Sequence, residues 1–235
     1  MAGAEPILGE LLTRTGPWPR PERRTFEGRL VRLEPVSATR HAAELYRASH
    51  EDEAARQVWT YLFHGPYPEE AAFAAWAEQA ERSPDPLFFT VVEQASGRAM
   101  GVVSLMRIDP AMGVIEVGNI WYAPALQRTP LPTEAMQLLF AHVFDELGYR
   151  RLEWKCNAQN EPSRRAALRF GFTFEGVFRQ HMVVKGRNRD TAWFSMTDGE
   201  WPVRRDAFER WLAPENFDRD GKQRARLEEL RARPR

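Results

Sequence analysis

Residues 133–156 constrain this chain most tightly. Met136, Leu139, Phe140, Val143 and Leu147 recur at helical spacing and give the segment one apolar face. Thr133 is placed to cap this helix, Glu134 sits in its first turn and Gly148 ends it. The period then changes. Over residues 151–156, Leu152, Trp154 and Cys156 alternate with Arg151, Glu153 and Lys155, the pattern of a strand with one buried face. An amphipathic helix that passes so directly into a half-buried strand has to share its core with a sheet.

The rest of the chain supplies that sheet. Val31 and Leu33 alternate with Arg32 and Glu34 in a strand that stops near Pro35. Ser37 can cap a helix running to about Ser49, and a second helix is expected over 69–82, with Ala72, Phe73 and Trp76 at helical spacing. Strands follow at 87–93 and 100–108, joined by a turn at 95–98, and at 114–122 after a turn at Asp109 and Pro110. Beyond the central helix and strand come a short helix over 163–170 closed by Gly171 and two long strands, 172–184 and 191–198, joined by the polar loop 185–190. A helix over 202–212 and a short one around Leu227 and Leu230 complete the chain. The order β-α-α-β-β-β-α-β-α-β-β is that of a mixed α/β (α+β) sheet, not of a doubly wound one. Three regions are expected: an extended arm over 1–27, the main domain over 28–200 and a helical tail over 201–235. In the arm, Pro17, Pro19 and Pro21 forbid helix, Ile7, Leu8, Leu11 and Leu12 can make one amphipathic turn, and Trp18 can dock on the body or on a partner.

Composition excludes several functions. The 33 basic and 33 acidic side chains cancel, which disfavours nucleic-acid and anionic-membrane binding. Cys156 is the only cysteine, so no intrachain disulfide and no paired-cysteine metal site can form. The five histidines are scattered without metal-ligand spacing, and no metal is expected. No apolar run approaches the roughly 18 residues of a membrane span. A cytoplasmic protein is the expectation; a homodimer is left open.

Residues 121–176 carry a series of short motifs. Ile120-Trp121-Tyr122-Ala123-Pro124 ends a strand; Gln127-Arg128-Thr129 and Thr133-Glu134-Ala135 follow. Asn160-Glu161-Pro162-Ser163-Arg164-Arg165, Arg169-Phe170-Gly171-Phe172 and Glu175-Gly176 complete the series. In this order, on these elements, the series resembles the GNAT superfamily of N-acetyltransferases, and within it the branch of ribosomal-protein alanine and serine N-acetyltransferases. The likeness extends over about residues 28–198. It implies a GNAT fold: a central, mostly antiparallel sheet with one splayed parallel strand pair and helices on both faces. It implies acetyl-CoA as co-substrate and an acceptor that is a small-molecule amine or a protein N-terminus.

The resemblance also assigns residues. The backbone of Ile120, Trp121 and Tyr122 would pair with the pantetheine arm, and Asn160 would hydrogen-bond its amides. The pyrophosphate would sit over residues 127–133, with Gln127, Arg128, Thr129, Leu131, Thr133 and Glu134 around it, at a helix N-terminus that favours anions. Arg164 and Arg165 would reach the 3′-phosphate end or form a solvated face. The loop departs from the superfamily's glycine-rich pattern, because Pro130 and Pro132 lack an N–H. Either its neighbours take up that load, as in the related branch, or acetyl-CoA binding is weakened and the chain is a non-catalytic acyl-CoA-binding module. Ala167 stands where many members carry a tyrosine acid, so Ser163 inherits that role, or simply caps its helix. For the base, Glu116 lies alone in an apolar run, where it serves catalysis, sits on an exposed face or makes a structural ion pair, and His181 is the second candidate. Cys156 reads as a core residue. Trp59, Tyr61, Phe63, His64 and Tyr67 cluster where the acceptor pocket is expected and serve contact or packing.

Overall fold

The computed structural model describes residues 8–233. Eight strands form one open sheet in the order β1-β2-β3-β4-β5-β6-β8-β7. They are β1 (Phe26–Glu27), β2 (Val31–Pro35), β3 (Leu87–Glu93), β4 (Ala99–Asp109), β5 (Val114–Tyr122), β6 (Arg151–Asn157), β7 (Thr173–Val184) and β8 (Arg187–Thr197). All neighbours are antiparallel except β5 and β6. The helices are α1 (Ala38–His50), α2 (Glu53–Arg56), α3 (Glu70–Arg82), α4 (Leu131–Ala141), α5 (Glu161–Phe170), α6 (Trp201–Leu212) and α7 (Leu227–Arg231).

The two faces of the sheet bury separate cores. On one face, α4 packs Met136, Leu139 and Phe140 against Ile115, Val117, Leu152, Trp154 and Phe194. The tail joins this core through Trp201, Phe208, Trp211 and Leu227. On the other face, α1 and α3 close Leu45, Phe73 and Ala77 over Val36, Phe88, Val102 and Trp121, with Trp59 fully buried among them.

Several expectations change here. Helix α4 starts at Leu131 with Pro130 at its N-cap, so Thr133 is a buried residue inside the first turn and not the cap. Pro132 is tolerated because first-turn amides have no intrahelical acceptor. The helix ends in a π-helical turn, His142–Glu146. Strand β8 begins at Arg187, so residues 187–190 are strand and not loop. The turn is only Lys185-Gly186, both in the left-handed region (φ 50° and 73°), as a two-residue hairpin requires. Helix α2 and the 3₁₀ turn Gln57–Trp59 carried no periodic signal. In the arm, Leu8, Leu11 and Leu12 are exposed and non-helical, and Ile7 lies outside the described residues. Trp18 docks on the body: it is buried, donates from Nε1 to Gly148 O at 2.6 Å, and lies against Gly113, where a Cβ would strike its ring.

Glu134 corrects a ligand assignment. It is buried, and its carboxylate accepts the backbone amides of Arg29 (3.1 Å), Leu30 (2.6 Å) and Val31 (2.8 Å). Gly28 permits this approach, because a Cβ there would lie 2.5 Å from Oε2. The side chain therefore ties the entry of β2 to α4. Each amide left buried without a partner costs about 1–3 kcal/mol. Glu134→Ala is therefore expected to lower unfolding stability by about 3 kcal/mol in a denaturant titration, while Glu134→Gln, which keeps one acceptor oxygen, should lose distinctly less. Equal losses would show that acceptance of these amides is not what the residue contributes.

Candidate active site

The site begins where two strands stop pairing. β5 and β6 run parallel for three residue pairs, Val114 with Arg151, Ile115 with Leu152 and Glu116 with Glu153. From Val117 onward β5 follows β4, β6 follows β8, and a gap opens between them. A bulge helps to turn β5 away: Asn119 is left-handed (φ 51°) between the pairs Ser104–Gly118 and Val102–Trp121. Asn119 Nδ2 donates to Ser104 Oγ (3.1 Å), which donates to Gly118 O (2.9 Å). The gap widens into a cleft of about 1310 Å³.

A buried ion cluster closes the apex. Glu116, 3% exposed, accepts on Oε2 from Arg107 Nη1 (2.8 Å) and Lys155 Nζ (3.0 Å). Lys155 also meets Glu153 Oε2 (2.5 Å) and lies 4.0 Å from the centroid of the Trp193 ring. Arg107 is itself left-handed (φ 48°), and the Asp85 carboxylate holds it there by accepting the amides of Arg107 (2.8 Å) and Ile108 (3.0 Å). The sequence shows Glu116 as a lone acid; the fold gives it two cations from the flanking strands.

One half of the cleft suits a long polar ligand. Beyond the apex, the β6 side of β5 has no strand partner, and the buried Tyr122 hydroxyl has no hydrogen-bond partner among the described residues. Ile120, Trp121, Gln127, Arg128, Thr129, Thr133, Asn160, Ser163 and Arg165 all line the cleft. Arg128 is exposed, left-handed (φ 62°), and has no ion-pair partner among the described residues. Some assigned donors and acceptors are already engaged. Gln127 Nε2 donates to Tyr122 O (2.9 Å), Leu131 N to Thr129 Oγ1 (3.3 Å) and Thr133 N to Pro130 O (3.0 Å). Asn160 caps α5, its Oδ1 accepting Ser163 N (3.2 Å), which leaves its amide group to donate. Arg164 does not line the cleft; it bonds Ala158 O (3.3 Å) and lies over Phe174.

Residues missed in the sequence fill the remaining wall. Arg169, one turn beyond Arg165 on α5, donates to Thr133 Oγ1 (3.0 Å) and lies 4.8 Å from the Trp211 ring. Trp211, Phe217, Lys222 and Gln223 bring the tail into the same wall. Arg169 was legible as an i+4 repeat of Arg165; the tail's contribution had no local signal.

At the floor, Ser163 Oγ accepts Trp154 Nε1 (3.0 Å) beside Cys156. That bond uses a lone pair of the oxygen, so the hydroxyl proton can be directed to the neighbouring Cys156 sulfur or to a ligand. Burial pushes the Cys156 thiol up, against a smaller opposing effect from the Ser163 hydroxyl. At the other mouth, residues 57–63 cross the cleft: Tyr61 Oη donates to Gln159 O (3.2 Å) and Lys185 Nζ to Trp59 O (2.7 Å). Tyr61 and Phe63 line the cleft, whereas Trp59, His64 and Tyr67 pack together with Trp76. Burial draws His64 down to about 4. His181 does not line the cleft; it bonds Thr191 Oγ1 (3.0 Å) and packs beside Trp193. Glu175 is structural. The Arg151 fork and the Ser195 hydroxyl hold it down to about 2.

The pattern that defines the acetyltransferase (GNAT) domain matches residues 30–173, more than half of the chain. The chain belongs to this family and has its fold. A crystal structure of a GCN5-related N-acetyltransferase from Brucella melitensis is 56% identical, covers 94% of this chain and 100% of that one, and superposes with a TM-score of 0.91. YdaF of Bacillus subtilis is 30% identical over 105 residues, 45% of this chain and 57% of YdaF. A ribosomal-protein-serine acetyltransferase of Escherichia coli is 35% identical over 81 residues, 34% of this chain and 45% of that one. The chain thus spans about half the length of these curated relatives. Among the described residues no group of His, Cys, Asp and Glu is arranged to hold a metal ion, and no helix is long and apolar enough to cross a membrane.

The environment of Cys156 yields a prediction. With its thiol buried and protonated, the folded chain at pH 8 should react with a disulfide reagent at least about 100-fold more slowly than the unfolded chain. Stopped-flow thiol titration reads both rates; equal rates would place Cys156 in an open, activated setting.

Proposed function

We propose that the chain is an acetyl-CoA-dependent N-acetyltransferase that moves an acetyl group directly onto a primary amine. The observation that carries this reading is the gap between β5 and β6, with unpaired backbone along one wall and a donor-ready serine at its floor. Family membership supports the donor, and the name of the Escherichia coli relative supports a protein acceptor. Acetyl-CoA, when bound, supplies the acyl group as an activated thioester. Tyr122, Asn160 and the backbone of β5 from Val117 onward would receive its arm. Arg128, Thr129, Arg165 and Arg169 would receive its phosphates, compensating for the amides that Pro130 and Pro132 lack.

Ser163 is assigned as the acid. Its proton goes to the departing sulfur as the amine nitrogen bonds to the acyl carbon and the carbon–sulfur bond breaks. Glu116 is assigned as the proton acceptor, directly or through one water, by its free Oε1. Arg107 and Lys155 hold its other oxygen in place, and its position at the apex is nearer the chemistry than that of His181. The Cys156 setting argues against a covalent intermediate. The modest acidity needed by a thiol leaving group makes the serine's contribution modest as well.

The test is an amine panel with acetyl-CoA, read by thiol release and by binding calorimetry. Intersecting double-reciprocal plots are expected. Ser163→Ala should lower kcat about tenfold and Glu116→Gln about 100-fold, with acetyl-CoA affinity nearly unchanged. Near wild-type turnover in both variants would overturn the assignments. Tight acetyl-CoA binding without turnover of any amine would favour the non-catalytic module.

A further inference from the structure

Arg189 is a charge that the fold buries without pairing. It stands on β8 and is only 6% exposed. Its Nε donates to Thr191 Oγ1 (3.2 Å), and its guanidinium lies 4.9 Å from the centroid of the Phe63 ring. No carboxylate lies within ion-pair distance of it among the described residues. Neighbouring Asp190 is turned to the other side of the strand, where it accepts Gln180 N (2.7 Å) and Asn188 Nδ2 (2.9 Å). Glu116 acts on Arg189 through space, but both of that residue's close partners are other cations, Arg107 and Lys155. The two Nη groups of Arg189 have no acceptor among the described residues, and the side chain lines the cleft. A buried guanidinium is costly unless something pairs with it. Its planar fork, set against an aromatic ring, matches a carboxylate in bidentate fashion.

We propose that the acceptor is an anionic amine, one that carries a carboxylate near its amino group, and that Arg189 binds that carboxylate. This rests on the acetyl-transfer reading and names the substrate class for it. Phe63 orients the fork, and Tyr61 and Lys185 hold the segment that carries Phe63 in place. Three cations, Arg107, Lys155 and Arg189, line the acceptor half of the cleft against Glu116, and Glu153 behind the lining pairs with Lys155, which leaves the charge of Arg189 in excess. That excess attracts a carboxylate and disfavours the protonated form of a bound amine, which favours the neutral nucleophile. The carboxylate can belong to a free amino acid or to an acidic residue next to a peptide's amino terminus; the chemistry Arg189 reads is the same.

The test uses the full chain with acetyl-CoA and matched acceptors. One pair is a set of free amino acids and their amides. The other is a short peptide with glutamate as its second residue and the same peptide with glutamine. In the wild type, one pair should show a preference of about ten- to a hundred-fold in kcat/KM for the carboxylate member, and which pair does so identifies the source. Arg189→Gln should reduce that preference to within about twofold, chiefly through KM, and Arg189→Lys should keep part of it. Calorimetry with acetyl-CoA checks that the variants are folded. Direct binding of the N-acetylated products, carboxylate against amide, gives a readout free of turnover. Turnover of amines without carboxylate preference overturns the proposal and leaves acetyl transfer standing. Preference retained in a folded Arg189→Gln protein also overturns it. Carboxylate binding that needs Arg189 but no turnover of any amine supports the anion subsite and overturns acetyl transfer. Neither turnover nor carboxylate binding overturns both.

Discussion

Three residue pairs hold β5 to β6, and a buried ion cluster sits where that pairing ends. The rest of the site depends on this junction. Parallel strands normally continue their ladder, because unpaired backbone groups in a sheet are costly. Here the ladder stops at Glu116, and side chains take over: Arg107 from β4 and Lys155 from β6 converge on one carboxylate oxygen. Removing one partner from such a cluster leaves an uncompensated buried charge, a cost of about 3–5 kcal/mol. The cluster therefore fixes the apex, and the bulge at Asn119 and the β6–β8 pairing carry the two arms apart. What opens between them is a cleft with a strand edge along one wall.

The charges divide that cleft. Toward α4 and α5, Arg128, Arg165 and Arg169 are spread along a wall that the tail completes with Trp211, Phe217 and Lys222. Toward β8 and residues 57–63, Arg107, Lys155 and Arg189 gather around Glu116. A chain of zero net charge thus carries two local cationic regions, one suited to phosphates and one with room for a carboxylate. Net charge governs long-range association; it says little about a cleft whose walls exclude water.

Where periodicity is strong, structure was legible in the sequence. The apolar stripe of α4 and the alternation of β6 appear where their patterns place them, whereas α5 starts at Glu161 with Asn160 as its cap, two residues before the expected start at Ser163. The failures have physical causes. Thr133 carries the composition of a cap, but Pro130 can begin a helix three residues earlier, and nothing local distinguishes the two starts. Residues 187–190 are polar because they lie at the end of an outer hairpin, and that polarity hid a strand and, with it, Arg189. Glu134 matched a motif of the cofactor loop, yet its oxygens serve amides about a hundred residues earlier in the chain, a tertiary contact with no local signature. Glu116 was found as an acid out of place, but its partners came from neighbouring strands and could not be read along the chain.

The central claim is that the open edge of β5 is the binding surface for acetyl-CoA. Amide hydrogen exchange of the chain, with and without saturating acetyl-CoA, measures this directly. The account predicts slowed exchange in peptides covering residues 117–122 and 128–133, with little change in β2 and β3. Acetyl-CoA binding that leaves 117–122 unprotected while protecting another region would contradict it.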